Sequence, residues 1–314
     1  MYWSFWDHNY PGNKVPWIVA DIISVIFLIL FIWVYIQGKK SIWRQQEENG
    51  GELNSDEKLF QRLRVLCVLL MFCELIWSLQ FLVSFGDHKA MEIVVITVGS
   101  FYDILLPLIM GLICGRVFKV CHMINTKSNE RPWWRYVCVT TWVLSEWALV
   151  PIMILHFSFP HERIYHSIYN FYGDTLIGIE FFFVLFLADF YYNKIYNMYK
   201  HSIEYTHMSL LYQNNQKNLE WLLRKFMNTL LGFIITLSFI IFTYILFLFI
   251  MKSTFATNTY WIFIHDITIH NMIHCLLLYY VKADKHSDVL RSSFKDQARL
   301  DGNEEDYPIN SRTG

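Results

Sequence analysis

The sequence predicts an all-α membrane protein, a seven-transmembrane helix bundle with the amino terminus outside the cytoplasm and the carboxyl terminus inside it. Composition is the first observation: 54% of the 314 residues are hydrophobic and 18% are aromatic, which is more apolar surface than a soluble core of this size buries. Seven apolar runs are the second observation, and a strong segregation of Lys and Arg along the chain is the third. The net charge of −1 argues against a nucleic-acid-binding protein.

The seven apolar runs each supply the roughly 20 residues that a helix needs to cross the hydrocarbon core of a bilayer. They cover residues 17–37, 65–85, 91–116, 136–157, 175–196, 229–251 and 260–282. The chain therefore divides into a short outer segment at 1–16, one helical bundle at 17–282 and a cytoplasmic tail at 283–314. The end of that tail is acidic and polar, and we expect it to be partly disordered.

The first run follows an aromatic and polar segment that lacks a basic start and a cleavage site, so we expect the run to act as an uncleaved signal anchor. The inner connection after the fifth run is long, and its amphipathic stretch at 219–226 predicts an extension of the sixth helix into the cytoplasm. After the seventh run, residues 289–294 have the pattern of a short helix that lies on the inner leaflet.

The distribution of Lys and Arg sets the direction of the helices. Of the 26 such residues, 22 fall in 38–64, 116–135, 190–228 and 282–314, which are the connections on one side together with the tail. The other side holds Lys14, Lys89, Arg163 and Lys252. Because short basic connections stay in the cytoplasm, this asymmetry predicts an inner tail. All six cysteines fall within or at the cytoplasmic edge of the apolar runs, so we expect no disulfide.

Acidic side chains lie inside or at the edges of the predicted spans, where no Lys or Arg at mid-membrane depth is available to pair with them. They are Asp21, Glu74, Asp103, Glu146, Glu180, Asp189 and Asp266. An isolated ionised carboxylate in hydrocarbon is costly, so each must be protonated, face a wet cavity or bind a cation. In the last span Asp266, His270 and His274 recur every four residues and therefore share one helix face. Polar contacts between helices, a ligand pocket and a metal site are the interpretations of this face.

The topology and several residues resemble those of G-protein-coupled receptors. Glu74 falls where such receptors carry an acid in the second helix, and Arg116 falls where they carry an arginine in the third. Trp142 with Pro151 reproduces a pair of the fourth helix. The chain departs from the family at Gly115, where the residue before the arginine is expected to be acidic.

This resemblance implies a small ligand in an outer-half polar cavity and a heterotrimeric G protein at the cytoplasmic face, in the plasma membrane. The ligand-binding residues would be Glu74, Asp103, Asp266, His270 and Asn271. The coupling residues would be Arg116, Arg224 and Lys225. The acidic lining favours a cationic ligand, no cofactor is expected, and membrane lipid surrounds the bundle. A retinal pigment is not favoured, because the last span has no lysine at mid-membrane depth for a Schiff base.

A second resemblance implies an enzyme. The residues that carry it are Ser84 and His88 at the outer end of the second span, Asp103 in the third, and His270 and His274 in the last. This set resembles that of the CREST membrane hydrolases, which include the alkaline ceramidases. The resemblance implies zinc bound by the three histidines, with Asp103 and Ser84 as catalytic residues against a lipid amide in the endoplasmic reticulum or Golgi.

We place the receptor first, because receptors of this layout are the more numerous class and the long basic fifth connection has an obvious use only in a receptor. The zinc hydrolase is the alternative. A carrier that uses the intramembrane acids is less favoured, since the sequence shows no internal repeat.

Overall fold

The structure, a computed structural model, describes residues 15–48, 55–82, 89–124, 133–159, 162–200, 213–250 and 259–282. Within these ranges the chain is almost entirely helical and contains no β-strand. The α-helices are α1 (Val15–Glu48), α2 (Ser55–Leu82), α3 (Lys89–Gly99), α4 (Phe101–Ile124), α5 (Trp133–Ser158), α6 (Arg163–Phe190), α7 (Gln213–Ile250) and α8 (Thr259–Val281). A π-helical segment, Tyr191–Tyr196, continues α6, and residues 197–200 return to α-helix. The prediction of a helical protein is confirmed.

Five helical stretches within the described ranges are long and apolar enough to cross a membrane. They are Ile18–Trp43, Ala90–His122, Trp133–His156, Arg163–Lys200 and Glu220–Thr243. Large apolar side chains such as Ile29, Phe171 and Phe182 are exposed on the outside of these helices, which suits contact with lipid. The helices indicate a multi-pass membrane protein. The remaining two predicted spans lie mostly in α2 and α8, so the count of seven, like the direction of the termini, stays a prediction.

The helices extend beyond the apolar runs, mainly on the side predicted to be cytoplasmic. Helix α1 continues past residue 37 to Glu48, and α7 begins at Gln213 rather than at 229. Lys, Arg, Glu and Gln are good helix formers in water, so polar sequence can carry a helix out of the bilayer. The amphipathic stretch 219–226 lies inside α7, as the sequence predicted for the sixth helix.

Ser100 separates α3 from α4 within one long span. Its N–H and its hydroxyl both donate to the Ile96 carbonyl, at 2.9 and 2.7 Å. A serine hydroxyl bonded four residues back competes with the backbone bonds and often bends a helix. The Asp103 N–H donates to the Ser100 carbonyl at 3.1 Å, so the interruption places Asp103 in the first turn of α4.

The helices close into a ring. Helix α1 packs on α2, α4 on α5, α5 on α6, α6 on α7 and α7 on α8, while α8 returns to α1. Helix α2 also contacts α3, α4 and α8, so it lies among the helices α1, α3, α4 and α8. At one crossing Gly232 of α7 comes so close to α8 that a Cβ would collide with Leu276.

Candidate functional site

The centre of the candidate site is a contact between the carboxyl group of Glu74 and two histidines of α8. His270 Nδ1 lies 2.9 Å from Glu74 Oε1, and His274 Nε2 lies 3.3 Å from Glu74 Oε2. The second contact lacks the alignment of a hydrogen bond. Glu74 and His274 are buried, whereas the His270 side chain is 31% exposed. A molecule that enters the bundle can therefore reach His270 before it reaches the other two.

Aromatic rings frame the two histidines. Tyr102 of α4 stacks on His270 with 5.2 Å between ring centroids, and it meets His274 edge-on at 6.4 Å. Phe27 of α1 lies 5.1 Å from the His274 ring. The buried Ser24, also on α1, interacts with Glu74 through its side chain. Four helices thus contribute to this group of residues, which we call the Glu74 cluster.

The spacing of the histidines explains why both reach one carboxyl group. His270 and His274 are four residues apart on α8, so their rings lie on the same helix face, with centroids 6.1 Å apart. The sequence predicted this shared face, and the structure confirms it. A carboxylate between two imidazoles is a strong acceptor for a protonated amine or another cation.

A second group of acids adjoins the Glu74 cluster. Asp103 interacts electrostatically with His270 and also with Glu146 of α5. Glu146 in turn interacts directly with Glu180 of α6, and its Oε1 atom is buried without a hydrogen-bond partner. The sequence identified these acids as intramembrane residues, but it did not predict that Asp103, Glu146 and Glu180 would lie together.

The other predicted site residues are described only in part or not at all. Asn271 follows His270 and is half-buried. Asp266 lies in α8 one turn before His270, but its side chain is outside the described part, and Ser84 and His88 lie outside the described residues altogether. Among the side chains that are described, no group of three or more His, Cys, Asp or Glu residues is arranged to hold a metal ion. The zinc site of the alternative function therefore stays a prediction.

The predicted coupling residues lie at the end of the bundle where α4 and α8 finish and α2 and α7 begin, which we call the basic end. Arg116 Nη1 donates to Tyr280 Oη at 3.1 Å, and its guanidinium lies 4.1 Å from the centroid of the Phe60 ring. Lys225 is buried and its Nζ lies 5.7 Å from the Tyr280 ring. Arg224 is exposed. The structure therefore brings Arg116 and Lys225 together and leaves Arg224 outside.

The sequence did not predict the aromatic residues of the Glu74 cluster or of the basic end. Tyr102, Phe27, Phe60 and Tyr280 had no feature that distinguished them in a chain with 45 Phe and Tyr residues. A weak signal exists only for Tyr280, which is on the helix that carries the histidines. Comparison of the chain with family models, curated proteins and solved structures gives no match, so the site has to be interpreted from its own chemistry.

Proposed function

We propose that the chain is a seven-transmembrane receptor that binds a small cationic ligand at the Glu74 cluster and signals to a G protein at the basic end. The observation that carries this proposal is that one helix, α8, connects the two places. It carries His270 and His274, which contact Glu74, and it also carries Tyr280, which accepts the hydrogen bond of Arg116.

At the ligand end, a protonated amine would compete with His270 for the Glu74 carboxylate. The carboxylate makes a charge-assisted hydrogen bond with either donor, and an amine that keeps its full positive charge adds a Coulombic attraction to it. Asp103, which interacts with His270, adds negative potential on the same side. Binding would therefore release α8 from α2 and shift the population of helix arrangements.

At the basic end, the bond between Arg116 and Tyr280 connects α4 to α8. Tyr280 is six residues after His274, which is about 9 Å along a helix axis. A tilt or rotation of α8 that separates His274 from Glu74 also changes the position of the Tyr280 hydroxyl. Loss of that hydroxyl would remove one contact that holds the Arg116 guanidinium, so Arg116 and the nearby Lys225 could move towards a cytoplasmic partner.

Tyr280→Phe tests this connection. Removing the phenol oxygen deletes the acceptor of the Arg116 Nη1 hydrogen bond and should favour the signalling arrangement without any ligand. A hydrogen bond to a charged donor is worth roughly 1.5–3 kcal/mol, and part of that value should appear as a several-fold rise in basal signalling. The measurement uses a panel of G-protein sensors in cells that express the full chain, and it records how far the G-protein subunits dissociate when no ligand is added.

The matched control is Tyr279→Phe. The hydroxyl of Tyr279 accepts from Asn228 Nδ2 at 3.3 Å on the exposed side of α8, so its removal should leave basal signalling unchanged. Surface display of each variant is measured in parallel. If the wild-type chain and Tyr280→Phe both reach the surface and neither activates any sensor, coupling to G proteins is the wrong function.

Metal analysis separates the receptor from the zinc hydrolase. The observation in favour of the hydrolase is that two imidazoles and a carboxylate, which are ligand types that zinc accepts, contact one another at Glu74, although the described side chains are not arranged to hold a metal ion. If the chain is a receptor, the zinc content of the purified full-length protein should not change in the double variant His270→Ala/His274→Ala. His122→Ala, on the exposed His122 of α4, is the control. About one equivalent of zinc that only the double variant loses would favour the enzyme.

A further inference from the structure

Three acidic side chains meet beside the Glu74 cluster, where α5 packs against α4 and α6. Glu146 of α5 and Glu180 of α6 interact directly with each other, and Asp103 of α4 interacts with Glu146. Glu180 is buried to more than nine-tenths of its surface, and the Oε1 atom of Glu146 is buried as well. Three carboxyl groups from three helices therefore lie together, and we call them the acid group.

No Lys or Arg side chain of the described part of the chain interacts with the acid group. Its described partners outside the group are an imidazole, an indole and two phenols, those of His270, Trp142, Tyr169 and Tyr172. Two buried carboxyl groups in contact cannot both be ionised unless a positive charge lies beside them. Glu146 and Glu180 therefore hold either a shared proton or a cation.

The indole of Trp142 on α5 favours the cation. Trp142 is 3% exposed, and its Nε1 has no hydrogen-bond partner among the described residues, although it lies close enough to Glu146 to interact with it. The ring stacks on Phe183 of α6, with 4.5 Å between centroids and 6° between planes, which holds the N–H in this place. A buried N–H donor stabilises the ionised form of a carboxyl group. The indole is therefore arranged for an ionised Glu146, and that state requires a positive charge in the acid group.

Asp103 connects the acid group to the Glu74 cluster. It interacts with His270 on one side and with Glu146 on the other. Aromatic rings accompany both places: Tyr102 stacks on His270, and Tyr172, whose hydroxyl donates to the Ser145 carbonyl at 2.8 Å, interacts with Glu146. Aromatic rings attract an ammonium group through their π electrons. Two acidic centres with aromatic neighbours thus follow one another through the bundle, and a single ammonium group can occupy one of them.

We propose that the ligand is a diamine, with one ammonium group at Glu74 and the second at Glu146 and Glu180. A primary ammonium group has three N–H donors, so it can donate to both carboxyl groups of the pair. It also needs no fixed coordination geometry, and the described side chains are not arranged to hold a metal ion. This inference rests on the proposed binding of an amine at the Glu74 cluster, and it is independent of coupling to a G protein.

The test compares diamines with monoamines of the same length, on the full-length protein in nanodiscs of phosphatidylcholine. The probes are the series from 1,4-diaminobutane to 1,8-diaminooctane and the corresponding n-alkylamines, and isothermal titration calorimetry gives their dissociation constants. We expect the best diamine to bind roughly 10- to 100-fold more tightly than its monoamine, which is the effect of an additional charged hydrogen bond. The diamine affinity should pass through an optimum with chain length, because the helices hold the two acidic centres at a fixed distance.

Substitutions locate the second ammonium group. Glu146→Gln and Glu180→Gln should each remove most of the advantage of the diamine and leave the monoamine affinity within a factor of about two, whereas Glu74→Gln should weaken both series. Glu162→Gln is the matched control, because Glu162 is exposed at the start of α6 and its charge is screened by solvent. The thermal midpoint without amine shows whether each variant folds, and either variant of the Glu146–Glu180 pair is sufficient.

The wild-type protein distinguishes a failure of this inference from a failure of the proposed function. If monoamines bind and require Glu74 but no diamine binds more tightly, the second ammonium site is wrong and the amine site at Glu74 remains. If neither series binds, both proposals are overturned. An affinity that rises steadily with chain length in both series indicates hydrophobic binding and overturns the diamine inference, as does an equal loss of diamine binding in Glu162→Gln.

Discussion

Replacing Phe118 with alanine should lower the free energy of unfolding by about 3–5 kcal/mol, the usual cost of deleting a fully buried phenylalanine side chain. Phe118 of α4 has no exposed surface. Its ring meets Phe190 at 4.5 Å and Phe186 at 5.8 Å on α6, and Tyr136 at 6.2 Å on α5. The substitution removes edge-to-face contacts and leaves a cavity where three helices meet.

The thermal midpoint of the purified full-length protein can be followed with a maleimide dye that fluoresces on reaction with thiols. Cys67, Cys114 and Cys121 are free and buried, so they react only when the bundle opens. The control is Phe182→Ala, because Phe182 on α6 is 72% exposed and should contribute little. Equal midpoints for the two variants would mean that the Phe118 ring of α4 does not pack against α5 and α6 as described.

Glu74→Leu should produce the second large effect, on stability and on ligand response together. The substitution removes the carboxyl oxygen that lies 2.9 Å from His270 Nδ1 and the one that lies 3.3 Å from the buried His274 Nε2, and loss of the hydrogen-bonded contact costs about 1–3 kcal/mol. It also removes the carboxylate that a cationic ligand would contact. Glu74→Gln should be milder, because the amide keeps the size of the side chain and one acceptor oxygen.

A double substitution tests whether His274 is the residue through which Glu74 stabilises the bundle. Replacing Glu74 and His274 by leucine together removes both polar groups, so it should destabilise less than the sum of the single changes. Glu162→Leu is the control for loss of a carboxylate, because Glu162 is exposed and makes no side-chain cap bond at the start of α6. Strict additivity of the two single effects, measured with the same dye, would show that Glu74 and His274 do not interact.

The helices could be predicted from the sequence because lipid imposes a length and a composition on any helix that crosses it. The ends of the helices could not. Polar helices in water have no such signal, so α7 begins sixteen residues before the apolar run that predicted it, and the break at Ser100 within the third run was missed. The break coincides with Ser100, whose hydroxyl bonds to the Ile96 carbonyl. Ser145 and Thr229 make the same kind of bond inside unbroken helices, so a serine in an apolar run does not by itself predict a break.

The candidate site was predictable in part for a related reason. The spacing of His270 and His274 defines a helix face whatever the helix packs against. The choice of Glu74 as their partner depends on which helices meet, and nothing in the sequence distinguishes Glu74 from Asp103 in that respect. At the basic end, Lys225 was predicted as part of a partner surface, and its burial beneath Phe60 and Tyr280 follows from the packing of α7 on α8.

The close approach of Gly232 to α8 bears on the proposed movement of that helix. Leu276 follows His274 by two residues and precedes Tyr280 by four, so its contact with Gly232 lies between these two residues of α8. Glycine has no side chain, so Leu276 packs directly on the α7 backbone. This contact can act as the pivot for a tilt of α8. A displacement of α8 at the level of His274 would then tilt the helix about this contact and move Tyr280 in the opposite direction.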